Sequence, residues 1–335
     1  MKPIPYSKED LAHVFEAVRD DPPDTDTDVV VSILIANYNG RELLRNCLKS
    51  IYEHPCRFPF EVLVVDDHSR DGSFEAVRDE FPRVRLFRNN ANMHYATSNN
   101  RMFDLARGKF LYLLNSDTIM LEGAIDRLVE WLDTHPRTGC VGSKLLNEDG
   151  SIQASVKTLP NLRSAFFGAR SPIAKLFPNN PLSARELLHL SMDLTEPFQA
   201  GYVSSASWLM PRQVVDEVGY LDPRLSYHVD ADYCARIQKA GWEVWYLPTA
   251  VVIHLDHKGG TLYDPYRRFK AVLEFHRGSW IFFERHEMKS WFHPLTWIVI
   301  GGLAVRFMVS LTMQQLGEIA KLLRSAKRQA PELDR

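Results

Sequence analysis

The stretch "VVVSILIANYNG", residues 29–40, decides the fold. Its first eight residues are apolar except Ser32. A continuous apolar run of this length reads as a strand covered on both faces, and the Asn-Tyr-Asn-Gly that follows reads as a turn. The same grammar repeats downstream. Residues 41–54 predict a helix with Leu44, Cys47, Leu48 and Ile51 on one side. "EVLVV" (61–65) predicts a second strand, 72–81 a helix, "VRLFR" (84–88) a third strand, 95–107 a helix, and "FLYLL" (110–114) a fourth strand. Such alternation predicts an α/β fold with a mostly parallel sheet flanked by helices. In these sheets ligands sit beyond the carboxyl ends of the strands, and the polar clusters "NYNG", "DDHSRDGS" and "NSD" fall there.

Upstream, residues 7–19 predict a short amphipathic helix with Ser7 as its N-cap, and "DDPPDTDTD" (20–28) an acidic linker. Downstream, 147–200 reads as an elaborated loop region. "SASWLM" (205–210) and "AVVIH" (250–254) read as strands, with helices beginning near Pro211 and near Asp230. The expected divisions are 1–28, 29–145, 146–265 and 266–335.

With 335 residues, 45% hydrophobic and 24% charged, the chain can bury a sizeable core. A net charge of −2 gives no reason to expect a nucleic-acid partner. The four cysteines form no CxxC pair, which argues against a zinc or redox site and for a reducing compartment. The N-terminus lacks the apolar core of a signal peptide, so a cytoplasmic location is expected.

Four constellations could carry chemistry. Asp66 and Asp67 end a buried strand, where a carboxylate can accept an N–H from a nucleobase or cap the next helix. Asp117, in "LYLLNSDTIM" (111–120), can hold a hard cation beside phosphate oxygens or cap the 121–133 helix. Asp230 and Asp232 sit two apart at a helix start. One can work as a base in a cleft, or both can meet the helix dipole. His254 ends an apolar strand and is a possible metal ligand or a satisfied structural histidine.

Taken in order along the chain, these stretches resemble family 2 glycosyltransferases, the inverting type with the Rossmann-like GT-A fold. The matching segments are "VSILIANYNG", "VLVVDDHSRDGS", "NNANMHYATSNNRMFDLARGKFLYLLNSDTIM", "SYHVDADYCARIQKAGWEVWYLP" and "AVVIH", together spanning roughly residues 30–260. The subgroup that looks most similar comprises bacterial rhamnosyltransferase-like enzymes of cell-surface polysaccharide assembly.

The resemblance implies a nucleotide-base pocket at Ala36, Tyr38 and Asp67, with Asp66 adjacent. It implies His94 and Asn100 facing the nucleotide-sugar. It places Asn115 and Ser116 beside Asp117, with Asp117 and His254 holding Mg2+ or Mn2+. Asp230 becomes the general base, while Asp232 and Arg236 support its helix or reach the acceptor. The implied donor is dTDP- or UDP-linked, with dTDP-rhamnose the single best choice, and the acceptor is a saccharide or lipid-linked saccharide. Two positions depart from the family pattern: Val229 stands where Glu is usual, and Ser205-Ala206 where Gly-Ala is usual. The alternatives are a sugar-phosphate nucleotidylyltransferase, for which "ANYNGRELL" offers only Gly40 and Arg41, or an inactive nucleotide-sugar-binding relative.

From Pro294 to Gly317 only Arg306 is charged, and Trp280, Trp291 and Trp297 lie in or before this segment. The length suits a membrane span, but a central Arg argues against a simple one. The expectation is a helical region lying in the inner-membrane surface, against packing on the domain or across a homodimer.

Overall fold

The computed structural model of the chain describes residues 15–20, 28–161, 188–256 and 265–329. They belong to two units, Met1–His257 and Lys258–Arg335.

The first unit is built on a ten-stranded sheet. Its amino-terminal half follows the predicted alternation: β2 (Val31–Asn37), α1 (Arg41–Glu53), β3 (Phe60–Asp66), α2 (Ser73–Glu80), β4 (Arg85–Asn89), α3 (His94–Leu105) and β5 (Phe110–Leu114). Strands β4, β3, β2 and β5 lie side by side and all parallel. Ile33, Leu34, Ile35, Leu63, Val64 and Val65 are completely buried, because helices cover both faces. Each such side chain contributes about 1.5–3 kcal/mol through burial.

The other half is mixed. After β6 (Thr118–Met120) and α4 (Ala124–Thr134) come β7 (Thr138–Leu146), β8 (Val156–Lys157), α5 (Leu188–Ser191), β9 (Phe198–Gln199), β10 (Tyr202–Val203), β11 (Ser207–Pro211), α6 (Arg212–Val218), α7 (Val229–Lys239) and β12 (Glu243–His254). β11 runs antiparallel between β5 and β7, β12 is parallel to β7, and β6 closes that edge antiparallel to β12. The expected seam at 145/146 falls at the end of β7, inside one sheet.

Two expectations change. Residues 7–14 lie outside the described residues, but Phe15–Arg19 is not helical: it is strand β1, antiparallel to β4. Sheet pairing at an open edge outweighs a weak local helix preference. Arg19 reinforces the pairing by donating from Nε to Val84 O at 2.9 Å and from Nη2 to Phe81 O at 2.8 Å. The strand expected over 250–254 is also longer, because β12 passes Pro248 through a register shift between Leu247 and Val251.

The second unit contains α8 (Pro265–His286) and α9 (Pro294–Gln329). Pro294–Gln315 is long and apolar enough to cross a membrane, and 6% of it is buried. Trp297, Ile298, Val305, Met308 and Met313 form an exposed apolar stripe. Arg306 is turned the other way, its guanidinium 5.0 Å from the centre of the Phe275 ring on α8.

Candidate active site

Register brings the polar strand ends to one level. Asn37 pairs with Asp66, and Asp66 with Arg88, across the carboxyl ends of β2, β3 and β4. Every described non-glycine residue with positive φ lies at this end: Asn39, His68, His228 and Asp256 in loops, and His94 as the first residue of α3. Strain of this kind gathers where loops must aim groups at a ligand.

The two aspartates after β3 have separate work. Asp67 accepts from Asn89 Nδ2 (2.7 Å), Met93 N (2.7 Å) and His94 N (2.8 Å). It anchors the start of α3, and its carboxylate is largely occupied. Asp66 is 1% exposed and accepts from Ser69 N at 3.0 Å through Oδ2. Its Oδ1, together with Asn37 Oδ1 and Arg88 Nε, is buried without a hydrogen bond among the described residues. Burial pushes the Asp66 carboxyl above the usual carboxylate range, against the lowering influence of Ser69 and of Arg88, whose Nε is 3.7 Å away. Ala36 and Tyr38 flank Asn37 in the chain; Ala36 is half-buried and Tyr38 is 52% exposed.

Asp117 does not cap the next helix. Strand β6 follows it, and α4 is capped by Gly123. The β6–β12 pairing sets Thr118 opposite His254, and Leu255 N donates to Asp117 O at 2.9 Å. His254 Nε2 thereby comes 3.2 Å from Asp117 Oδ1 and 3.4 Å from Asn115 Nδ2. Both partners, His254 and Asp117, stay partly open, at 13% and 18% exposure. Ser116 is half-buried beside them, close to Gly40.

These residues fit a divalent cation. Two ligands at right angles in an octahedron of 2.0–2.1 Å bonds sit about 3 Å apart. Carboxylate with imidazole suits Mn2+, and oxygens suit Mg2+. Among the described residues no third His, Cys, Asp or Glu joins the pair, so the remaining ligands would be oxygens from substrate or water.

Asp230 lies in the first turn of α7, half-buried, with Oδ1 accepting from Ala231 N at 2.9 Å. A chain of contacts links it to the cation pair. Asn115 N donates to Ala206 O at 3.0 Å, and the Tyr95 hydroxyl donates to Ser205 O at 3.1 Å. Burial raises the Tyr95 phenol far above its ordinary range, and the nearby Asp230 charge adds to the rise. Sequence reading missed Tyr95, because a helix-borne Tyr is not distinctive until Ser205 meets it.

Asp232 and Arg236 are interior. Arg236 Nε donates to Asp232 Oδ2 at 3.1 Å, and its Nη atoms donate to Val218 O and Tyr220 O. The buried pair braces α7 against the segment before it. Val229, where the family pattern has Glu, is 6% exposed and packs inward.

One expected contact is overturned. Asn100 does not face the nucleotide-sugar side: it is completely buried, donating to Leu221 O and accepting from Leu221 N, both at 2.9 Å. Its amide is consumed in bracketing α3 to the segment before α7. His94 is exposed at the start of α3.

Comparison with known proteins identifies the family. The family described as Glycosyl transferase family 2 matches residues 32–219. The N-acetylglucosaminyl-diphospho-decaprenol L-rhamnosyltransferase of Mycobacterium tuberculosis (strains CDC 1551 / Oshkosh and ATCC 25618 / H37Rv) is 30% identical over 263 residues. That alignment covers 74% of this chain and 82% of the relative. Among solved structures, GalNAc-T7 with UDP, GalNAc and Mn2+ aligns at TM-score 0.53 and 17% identity, covering 79% of this chain and 55% of the other. The mannosyltransferase PcManGT from Pyrobaculum calidifontis, in complex with GDP-Man and Mn2+, aligns at TM-score 0.53 and 16% identity, covering 93% and 80%. The structural likenesses establish the fold as GT-A. With the match over 32–219 and the rhamnosyltransferase relative, the chain belongs to glycosyl transferase family 2 and is a glycosyltransferase.

Proposed function

We propose that the protein transfers L-rhamnose from dTDP-rhamnose to a hydroxyl of a lipid-linked saccharide, with inversion at the anomeric carbon, in cell-surface polysaccharide synthesis. The observation that carries a metal-dependent sugar transfer is the meeting of Asp117 with His254, 3.2 Å apart at the carboxyl edge of the sheet. The choice of sugar and acceptor rests on the relative, whose name specifies an L-rhamnosyltransferase and a diphospho-decaprenol acceptor.

Asp66 reads the base. The imide edge of thymine or uracil presents an N–H flanked by carbonyls. Buried Asp66 Oδ1 supplies the matching acceptor and Arg88 Nε the matching donor. Tyr38, exposed just past the end of β2, offers an aromatic face to the ring. Ala36, Asn115 and Ser116 line the approach to the diphosphate, and His94 covers the donor from the start of α3.

Asp117 and His254 would hold Mg2+ or Mn2+, which neutralises charge as the nucleoside diphosphate leaves. Loss of that leaving group gives the sugar oxocarbenium character, as in glycoside hydrolysis. Asp230 takes the proton from the acceptor hydroxyl as its oxygen attacks the opposite face. Buried Asp232–Arg236 keeps the Asp230 turn from shifting, and Tyr95 fixes the Ser205 carbonyl beside it.

The exposed stripe of α9 lies on the cytoplasmic face of the inner membrane, where lipid-linked acceptors present their sugars. Arg306 points back at α8, so it does not oppose burial of the stripe in the interface.

Turnover of dTDP-rhamnose with a lipid-linked saccharide tests the proposal, with product configuration read by NMR. Asp230→Asn is expected to reduce turnover about 10²–10⁴-fold with an unchanged Tm. Unaffected turnover removes Asp230 from the role of base, and a retained anomeric configuration ends the single-displacement mechanism.

A further inference from the structure

Gln153 grips His254 at two points. Its Nε2 donates to the His254 carbonyl oxygen at 2.6 Å, and its Oε1 lies 3.0 Å from His254 Nδ1. A carbonyl oxygen can only accept, so the amide nitrogen must face it. The amide oxygen therefore faces the ring, and Nδ1 must be the ring nitrogen that carries hydrogen. In the neutral ring this leaves Nε2 as a lone pair, and Nε2 is the atom 3.2 Å from Asp117 Oδ1. Two lone pairs facing each other at that distance repel unless a proton or a metal ion sits between them. The amide thus presets the histidine as an Nε2 ligand and locks the backbone that carries it.

The chain around Gln153 is rigid enough for this. Asn147–Ser151 forms a tight turn, with Gly150 N donating to Asn147 O at 2.9 Å and Asn147 N to Ser151 O at 2.8 Å. Gly150 has φ 82°, which favours glycine. Ile152 bridges back to Leu146, and Gln153 N donates to Leu145 O at 2.9 Å. Gln153 therefore stands on a short antiparallel return from β7, the neighbour of the strand that ends in His254.

We propose that Gln153 is a positioning residue for the cation site, which fixes the His254 tautomer and aims Nε2 at the ion. The inference rests on the cation reading of Asp117 and His254, and the test separates the two. Mn2+ binding to the ligand-free enzyme is followed by EPR of the free ion, and nitrogen coordination by the electron spin-echo signal of the bound ion. Gln153→Ala is expected to weaken Mn2+ binding about 10–100-fold, in the range for partners of metal-bound histidine, with Tm within a few degrees. Gln153→Glu keeps the acceptor for Nδ1–H and is expected to restore most of the affinity and the nitrogen signal. If His254→Ala leaves Mn2+ binding and the nitrogen signal unchanged, the cation reading itself fails. If His254→Ala abolishes them while Gln153→Ala binds as wild type does, the role of Gln153 fails alone. Gln153→Glu behaving like Gln153→Ala would likewise overturn the tautomer argument.

Discussion

Strand β3 carries a buried carboxylate at each end, and the two ends are built differently. At the amino end Glu61 accepts from Ser32 Oγ at 2.5 Å, Arg107 N at 2.6 Å and Arg85 Nη1 at 2.7 Å. Arg85 in turn reaches Leu105 O and Asp20. At the carboxyl end Asp66 is as deeply buried, yet its Oδ1 has no hydrogen bond among the described residues. Burial of a charge therefore does not mark function here. What separates the two ends is the open Oδ1 of Asp66, which stands beside two other unmet polar atoms, Asn37 Oδ1 and Arg88 Nε, at a strand end where a ligand can complete them.

Substitutions at each end should separate into different observables. The largest effect is expected at the functional edge. Asp117→Asn should lower turnover about 10³-fold, or roughly 4 kcal/mol on the barrier, with a urea midpoint close to wild type. A matching fall in stability would mean that Asp117 is structural, like Glu61. Glu61→Gln should do the reverse. Breaking a buried pair costs about 3–5 kcal/mol of unfolding free energy, and the lower end is expected because Asp20 still meets Arg85. Donor affinity of the folded enzyme should not change.

Asp66→Asn is expected to raise KM for the pyrimidine donor by about 10–100-fold, the equivalent of one lost hydrogen bond to a charged group. The same variant should melt higher without donor, since it removes a poorly solvated charge. The pH dependence follows in sign. The folded state holds the Asp66 proton more tightly than the unfolded chain does. Its contribution to stability is therefore lost as pH rises above the ordinary carboxylate range. The Tm advantage of Asp66→Asn should grow between about pH 4 and pH 7. A constant difference across that range would show that the carboxyl is ionised equally in both states.

Much of this was legible in the sequence, and the limits have physical causes. β2 to β5 could be read because parallel strands covered on both faces are written as unbroken apolar runs. The cluster at their carboxyl ends followed from the topology. The partnership of Asp117 with His254 did not follow from spacing, since it depends on β6 pairing with β12. It came from the order of motifs in a known family. Phe15–Arg19 was misread because a helical pattern cannot reveal an open sheet edge. Asn100 was misread because its partner Leu221 lies far along the chain. Gln153 gave no sign beyond the Asp149-Gly150 turn before it, because a lone Gln in a loop acquires a role only from its neighbour.

The Asn100 bracket also constrains how the enzyme can move. It joins the helix that starts at the donor side to the segment leading into α7, using both faces of one buried amide. Movement of α3 against that segment would have to break both bonds at once. Asn100→Ala is the change that would create a hinge, seen as faster hydrogen exchange across residues 219–222 before any loss of the overall fold.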